Sequence, residues 1–223
     1  MPPQNINSSI AYPLPQPKAL KIIAKIISYV FHPLFIPVYL TAYLIYIHPY
    51  LFAAYDPKQK FIRLLSVFVI TVFFPAITVF LLWRLNFIES IYLQTQKERI
   101  IPFVSSNIFF FWAFWVARNL EGTPSPMVFL FLGIFLASGA ALIANNYFKI
   151  SLHGLGVGGA VGFMILLATI TSEPMGMAIS ITTLIAGIVC TSRLVVSDHH
   201  PVEVYAGVTI AVLSQIIAFW IIM

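Results

Sequence analysis

Arg193, His199 and Glu203 share one short stretch, Ser192-Arg-Leu-Val-Val-Ser-Asp-His-His-Pro-Val-Glu203. A cation, an imidazole and a carboxylate at these spacings are the parts needed to handle a phosphate. Pro201 suits the first turn of a helix, with Asp198 or His199 just before it as the cap. Glu203 then faces back toward His199 from one turn inside that helix. A carboxylate that accepts from one ring nitrogen fixes the tautomer and leaves the other nitrogen free to attack. Arg193 adds a planar fork matched to phosphate oxygens, and a helix N-terminus favours an anion beside it.

Two more stretches carry groups of the same kind. Lys149-Ile-Ser-Leu-His153-Gly154 offers Ser151, as a helix cap or a phosphate donor, and His153, placed to protonate a leaving oxygen. Lys97-Glu-Arg99-Ile-Ile-Pro102 offers two cations. Lys97, Arg99 and Arg193 together can neutralise a phosphoryl group in transfer without a metal. No His-x-x-x-His or Glu-x-x-His spacing supports a metal site, so the reading calls for no metal and no cofactor.

The elements that position these groups follow from composition. Of 223 residues, 60% are hydrophobic and only 9% charged, and the mean hydropathy is +0.95. Soluble domains carry roughly 25% charge, so this is an integral membrane protein. Long apolar runs and the lack of short alternating strands make it an all-α polytopic bundle. Seven spans are expected near 28–50, 61–84, 101–118, 126–148, 155–172, 175–194 and 203–223, for six to seven membrane helices in all. Pro33, Pro37 and Pro75 should kink the first two. Alternating spans put the connections after spans two, four and six on one face, and those are the three polar stretches. The candidate site therefore belongs at one membrane face.

Blander readings hold elsewhere. Residues 1–17 form a polar, Pro-rich tail, expected to be disordered and without signal-peptide character, ahead of a single domain over 18–223. Lys18, Lys21 and Lys25, interleaved with Leu20, Ile22, Ile23 and Ile26, form a basic amphipathic patch suited to anionic lipid. The net charge of +5 is spread thinly and does not suggest nucleic acid. Gly154, Gly158 and Gly162 recur every fourth residue and read as close helix packing rather than a nucleotide loop. The aromatics of the third span (Phe109 to Trp115) read as lipid-facing or interfacial, and Cys190 as core. His32 and His48 each precede a proline and read as interfacial or capping groups outside the three clusters. Asn145 and Asn146 read as interhelical hydrogen-bonders or cavity-mouth residues, and Glu98 as a partner for its cationic neighbours. Lys149 reads equally as a phosphate contact or a headgroup contact.

Ser192-Arg193, His199 and Glu203, with Val204, Ala206 and Gly207 beyond, resemble the third signature motif of the type 2 phosphatidic acid phosphatase superfamily. That motif reads Ser-Arg-x5-His-x3-Asp, with Glu203 here in place of the aspartate. Ile150-Ser151-Leu152-His153 keeps the serine and histidine of the second motif, Pro-Ser-Gly-His. Lys97, Arg99 and Pro102 are a compressed form of the first, Lys-x6-Arg-Pro. The resemblance runs from about residue 97 to 207. It implies a membrane enzyme that hydrolyses a lipid phosphate or isoprenoid diphosphate, in many bacterial relatives at the outer face of the inner (cell) membrane. His199 would be the phosphorylated nucleophile, Glu203 its orienting partner and His153 the acid, with Lys97, Arg99, Ser151 and Arg193 binding the phosphate. The departures leave two alternatives: a phosphotransferase with another acceptor, or a non-catalytic lipid-phosphate binding or transport protein. Lysine and arginine tie between the two faces once the site cations are set aside, so the positive-inside rule does not choose a side.

Overall fold

A computed structural model describes residues 17–91, 95–196 and 199–223, and these are helical with no strand among them. All of the amino-terminal tail but Pro17, and the candidate cap Asp198, lie outside the described residues. Among the described residues, six helical segments are long and apolar enough to cross a membrane, so the chain is a multi-pass membrane bundle.

The elements are α1 (Lys18–Val30), α2 (Ile36–Ala42), α3 (Pro57–Phe68), α4 (Phe74–Arg84), α5 (Gln96–Asn119), α6 (Ser125–Ala144), α7 (Leu152–Ile170), α8 (Gly176–Val196) and α9 (Pro201–Ile222). A π-turn, Tyr43–Ile47, extends α2, and a second, Val69–Phe73, joins α3 to α4 in one spanning rod, Pro57–Arg84. The helix starts are written locally. Asp56 accepts from the Gln59 amide at 2.8 Å ahead of Pro57, and Thr95 and Glu98 cap each other at the start of α5. That second capping box begins α5 at residue 96 rather than 101, so Lys97 and Arg99 are helical.

The expected first span, 28–50, is not one helix. Proline has no amide proton and disfavours helix in the residue before it. The chain accordingly turns at Phe31 to Phe35, around His32-Pro33, before α2 begins. Only Ile36–Ile47 of that stretch remains as an apolar helix, too short to count among the six. Ahead of the break, α1 exposes Ile22, Ile23, Ile26 and Tyr29, buries Ala24 and Ser28, and packs on α8.

At the core stands α6, where Phe129, Leu130 and Phe131 are fully buried. Phe129 meets Phe163 of α7 and Phe219 of α9 at ring distances of 5.2 and 5.5 Å. The closest helix pairing is α7 with α9. A Cβ on Gly154 would stand 2.5 Å from the Val204 carbonyl oxygen, one on Gly158 2.6 Å from Val208 Cα, and one on Gly207 2.6 Å from the Ser151 carbonyl oxygen. The glycine repeat is thus a packing device that lets two backbones touch. Cys190 is buried, as expected. The aromatic run of α5 divides: Phe110 and Phe114 are buried, while Phe111, Trp112 and Trp115 are exposed.

Candidate functional site

The carboxyl end of α8 and the start of α9 hold the first group. His200, not Asp198 or His199, is the residue that caps α9, with Pro201 in the first turn. Placing the cap one residue later leaves His199 just outside the helix, where its ring can fold back onto the first turn. His199 Nδ1 lies 2.9 Å from Glu203 Oε2, and the same oxygen accepts from the His200 amide at 3.1 Å. A carboxylate oxygen accepts, so Nδ1 carries the proton and Nε2 presents its lone pair. The His199 side chain is only 3% exposed. Burial pulls its pKa below the ordinary 6.5 and the Glu203 bond raises it; Arg193 and Arg99 add to the lowering, and the net shift is downward. The imidazole is therefore held neutral with one nitrogen free, the form a nucleophile requires.

The second group is bonded to the first through the backbone. Ser151 caps α7, its hydroxyl accepting from the Gly154 amide at 3.4 Å, while its own amide donates to the Glu203 carbonyl at 3.2 Å. Ser151 is fully buried. His153, two residues on, points at α1: its Nε2 lies 3.0 Å from the Ser28 carbonyl oxygen. A carbonyl only accepts, so Nε2 is the protonated nitrogen and Nδ1 the one left for other partners. The same Ser28 accepts from Arg193 Nη1 at 3.3 Å through its hydroxyl. One residue of α1 thus holds both the second-cluster histidine and the third-cluster arginine.

The first cluster divides. Arg99 is buried and donates from Nη1 to the Ile150 carbonyl at 3.1 Å, which places it beside Ser151. Gln96 and Asn145 reinforce the same junction, each side-chain amide donating to the other residue's carbonyl at 3.0 Å. Lys97, two residues from Arg99, is exposed and held by no hydrogen bond or ion pair among the described residues. Positions two apart on a helix face different ways, and here only one of the two cations turns inward. Glu98 pairs with neither. Its carboxylate accepts from the Thr95 amide and the Glu89 amide, both at 3.1 Å.

His32 corrects an expectation. Rather than standing apart as an interfacial group, its ring packs edge-on against His153, with centroids 5.6 Å apart and planes at 83°. Its Nδ1 accepts from the Leu34 amide at 3.4 Å. The helix break at Pro33 was visible in the sequence, but the return of that turn to His153 is a long-range contact with no local signature. Ser28 was harder still to see. Its signal is the pair Ala24 and Ser28, two small residues one turn apart among the bulky residues of Leu20 to Val30. His48 stays away from the cluster, buried near the opposite end of the bundle. Asn146 and His200 are exposed, and Lys149 is half-buried.

Beside these groups lies a cavity of about 390 Å³ with a mainly apolar lining. His32 and Arg99 belong to its wall, and so does the buried Gln215 of α9. No group of three or more His, Cys, Asp or Glu residues able to hold a metal ion occurs among the described residues. No family model, no curated protein and no solved structure matches this chain. What the site does must be argued from its own groups: a neutral, oriented imidazole, a second imidazole, two inward-facing guanidinium groups and a serine-capped helix start, all at one end of a membrane bundle.

Proposed function

We propose that the chain is a membrane phosphatase that hydrolyses a lipid phosphate or an isoprenoid diphosphate through a phosphohistidine on His199, in a bacterial inner membrane. The observation that carries this reading is the His199–Glu203 pair at 2.9 Å, with Arg193 and Arg99 near enough to bias the same ring. Nδ1 is committed to the carboxylate, so Nε2 attacks phosphorus while the bond to the leaving oxygen breaks. The guanidinium groups of Arg193 and Arg99 balance charge on the phosphoryl oxygens. Glu203 steadies the positive charge that the ring acquires.

His153 supplies the leaving-group proton. Nε2 stays tied to the Ser28 carbonyl, so Nδ1 takes up the proton that a singly ionised phosphate brings with it and passes that proton to the leaving oxygen. Nδ1 then has a lone pair with which to take a proton from the water that attacks the phosphohistidine, and handing that proton to the released phosphate returns both histidines to their starting state. Ser151 is too well used as a cap to serve as nucleophile; its place beside Arg99 suits a phosphate contact. Lys97 takes no part in this scheme.

The test is phosphate release by the detergent-purified full chain from lipid phosphates and isoprenoid diphosphates in the presence of EDTA. Release is expected from the wild type and its loss, by at least about 10³-fold, from His199→Ala. Full activity in that variant would remove the nucleophile assignment. Little free phosphate alongside a newly phosphorylated acceptor would instead identify a phosphotransferase, and saturable binding without turnover a lipid-phosphate carrier.

A further inference from the structure

The cavity has a shape and a chemistry that the phosphate groups do not use. Its upper wall holds His32 and Arg99, which are part of the site. Below them it is walled by α2 and α4, facing each other with Pro37 on one side and Phe80 on the other. It reaches as deep as Gln215, twelve residues along α9 from Glu203. At ~1.5 Å per residue that is about 18 Å below the nucleophile's carboxylate. One leaflet of a bilayer, half of a hydrocarbon core about 30 Å thick, is of similar depth.

The deep end is not apolar. Gln215 is 1% exposed; its Nε2 donates to the Leu130 carbonyl at 3.4 Å, and its Oε1 has no partner among the described residues. A buried acceptor without a donor is costly, and a methyl group packed onto it offers none. An occupant that is hydrocarbon along its length therefore has reason to stop short of Gln215.

We propose that this cavity is the binding site for a single hydrocarbon chain of a phosphorylated lipid, which enters between α2 and α4 with its phosphate at Arg99 and ends above Gln215. The assignment rests on the phosphate-handling reading of the site for its headgroup end only. His32, between the cavity and His153, then marks where chain and phosphate join. Gln215 acts as a ruler that sets the preferred chain length, and any second chain stays outside in the bilayer.

The test is photocrosslinking of the full chain in phosphatidylcholine nanodiscs with hexadecyl phosphate carrying a diazirine at its chain end. Labels are expected on α9 at Ala211 and Gln215 and on the facing part of α6. Labels confined to lipid-facing side chains such as Leu213 and Trp220 would overturn the proposal. Ala211→Phe, which fills the cavity, should cut deep labelling at least tenfold relative to the outward-facing control Leu213→Phe; equal labelling would overturn it. Gln215→Leu should move the preferred chain in an octyl-to-octadecyl phosphate series toward greater length, and an unmoved preference would remove the ruler. Phosphatidylcholine with the same chain-end diazirine is the second arm. Deep labelling from it equal to that from hexadecyl phosphate would show a general lipid slot and sink the phosphate-linked assignment. Labelling is independent of turnover. Deep labels without phosphate release would sink the phosphatase reading and leave the chain site standing, and release with only surface labels would do the reverse.

Discussion

The two sides of the bundle are built on opposite principles. Where α7 meets α9, three glycines let one backbone rest on another, and no atom could be added to Gly154, Gly158 or Gly207 without meeting main chain. Where α2 faces α4, the chain breaks at Pro33, both helices carry a proline in the first turn (Pro37 and Pro75), and the elements stand apart around a cavity of about 390 Å³. The tight side carries Ser151, His153 and Glu203, with His199 directly before α9. The loose side carries His32 and Arg99 at its head, is lined by no other titratable group among the described residues, and supplies volume. A nucleophile and its orienting carboxylate need fixed positions, whereas a lipid needs somewhere to go.

Filling the tight side should have the largest effect. Gly158→Val places branched carbon against the Val208 backbone, which cannot move aside as a flexible side chain would. Overpacking typically costs about 1–3 kcal/mol, and a backbone that cannot yield puts this site at the upper end. It should lower the Tm of the purified protein sharply and abolish phosphate release, because α7 and α9 carry opposite halves of the site. Gly187→Ala on α8, where a Cβ meets nothing within 4 Å, should leave both unchanged. If Gly158→Val kept its Tm and its activity, the seam would not be what holds the site.

The first cluster offers a sharper version of the same contrast within three residues. Arg99→Ala removes a buried guanidinium and orphans the Ile150 carbonyl, and should lower kcat/KM by about 10²–10³. Lys97→Ala removes an exposed cation and should stay within about twofold, as exposed charges contribute little. A large loss from Lys97→Ala would mean that the helix presents its other face to the substrate.

How much of this was legible in the sequence follows from the range of the interactions. The six spans, the capping boxes and the glycine ladder are local or periodic, and each was readable or nearly so from spacing. The convergence of the three polar stretches followed from parity alone. Lys97 could not be told from Arg99, because one turn of helix decides which faces inward and the cap at Thr95 sets that phase. His32 and Ser28 were invisible as site residues because both reach His153 across about 125 residues of chain. The cap at His200 rather than Asp198 or His199 was missed by one position, within the usual uncertainty of helix ends.

Next in size is a pH effect at the tight seam. Burial lowers the His199 pKa below 6.5, and Arg193 of α8 and Arg99 of α5 push the same way, while Glu203 of α9 raises it. A nucleophile must be neutral, so the acid limb of kcat/KM should fall below pH 6.5, with activity rising as pH increases through it. Glu203→Gln removes the raising contribution, so the limb should move to still lower pH while the plateau drops, since an amide steadies the developing imidazolium less well. A limb that moved upward would mean that Glu203 does not act on His199 as the geometry indicates. NMR titration of His199 would read the same shift without turnover.

The smallest effect should come outside both sides, at α1, which packs on α8 and braces the site from there. Ser28 belongs to α1, an amphipathic helix with Ile22, Ile23 and Ile26 exposed, yet its carbonyl holds His153 and its hydroxyl holds Arg193. Ser28→Ala deletes only the second of these, because the carbonyl is main chain. One hydrogen bond to a charged group is worth about 1.5–3 kcal/mol at good geometry, and at 3.3 Å this one belongs at or below the lower end. A roughly tenfold rise in KM is expected, with kcat little changed, since Arg193 would lose its aim at the bound phosphate while His153 kept its tautomer. Deleting residues 1–30 removes both contacts and should depress kcat as well as raise KM. If the deletion did no more than Ser28→Ala, the Ser28 carbonyl would have no part in holding His153, and α1 would be a lipid-surface helix that merely rests against the site.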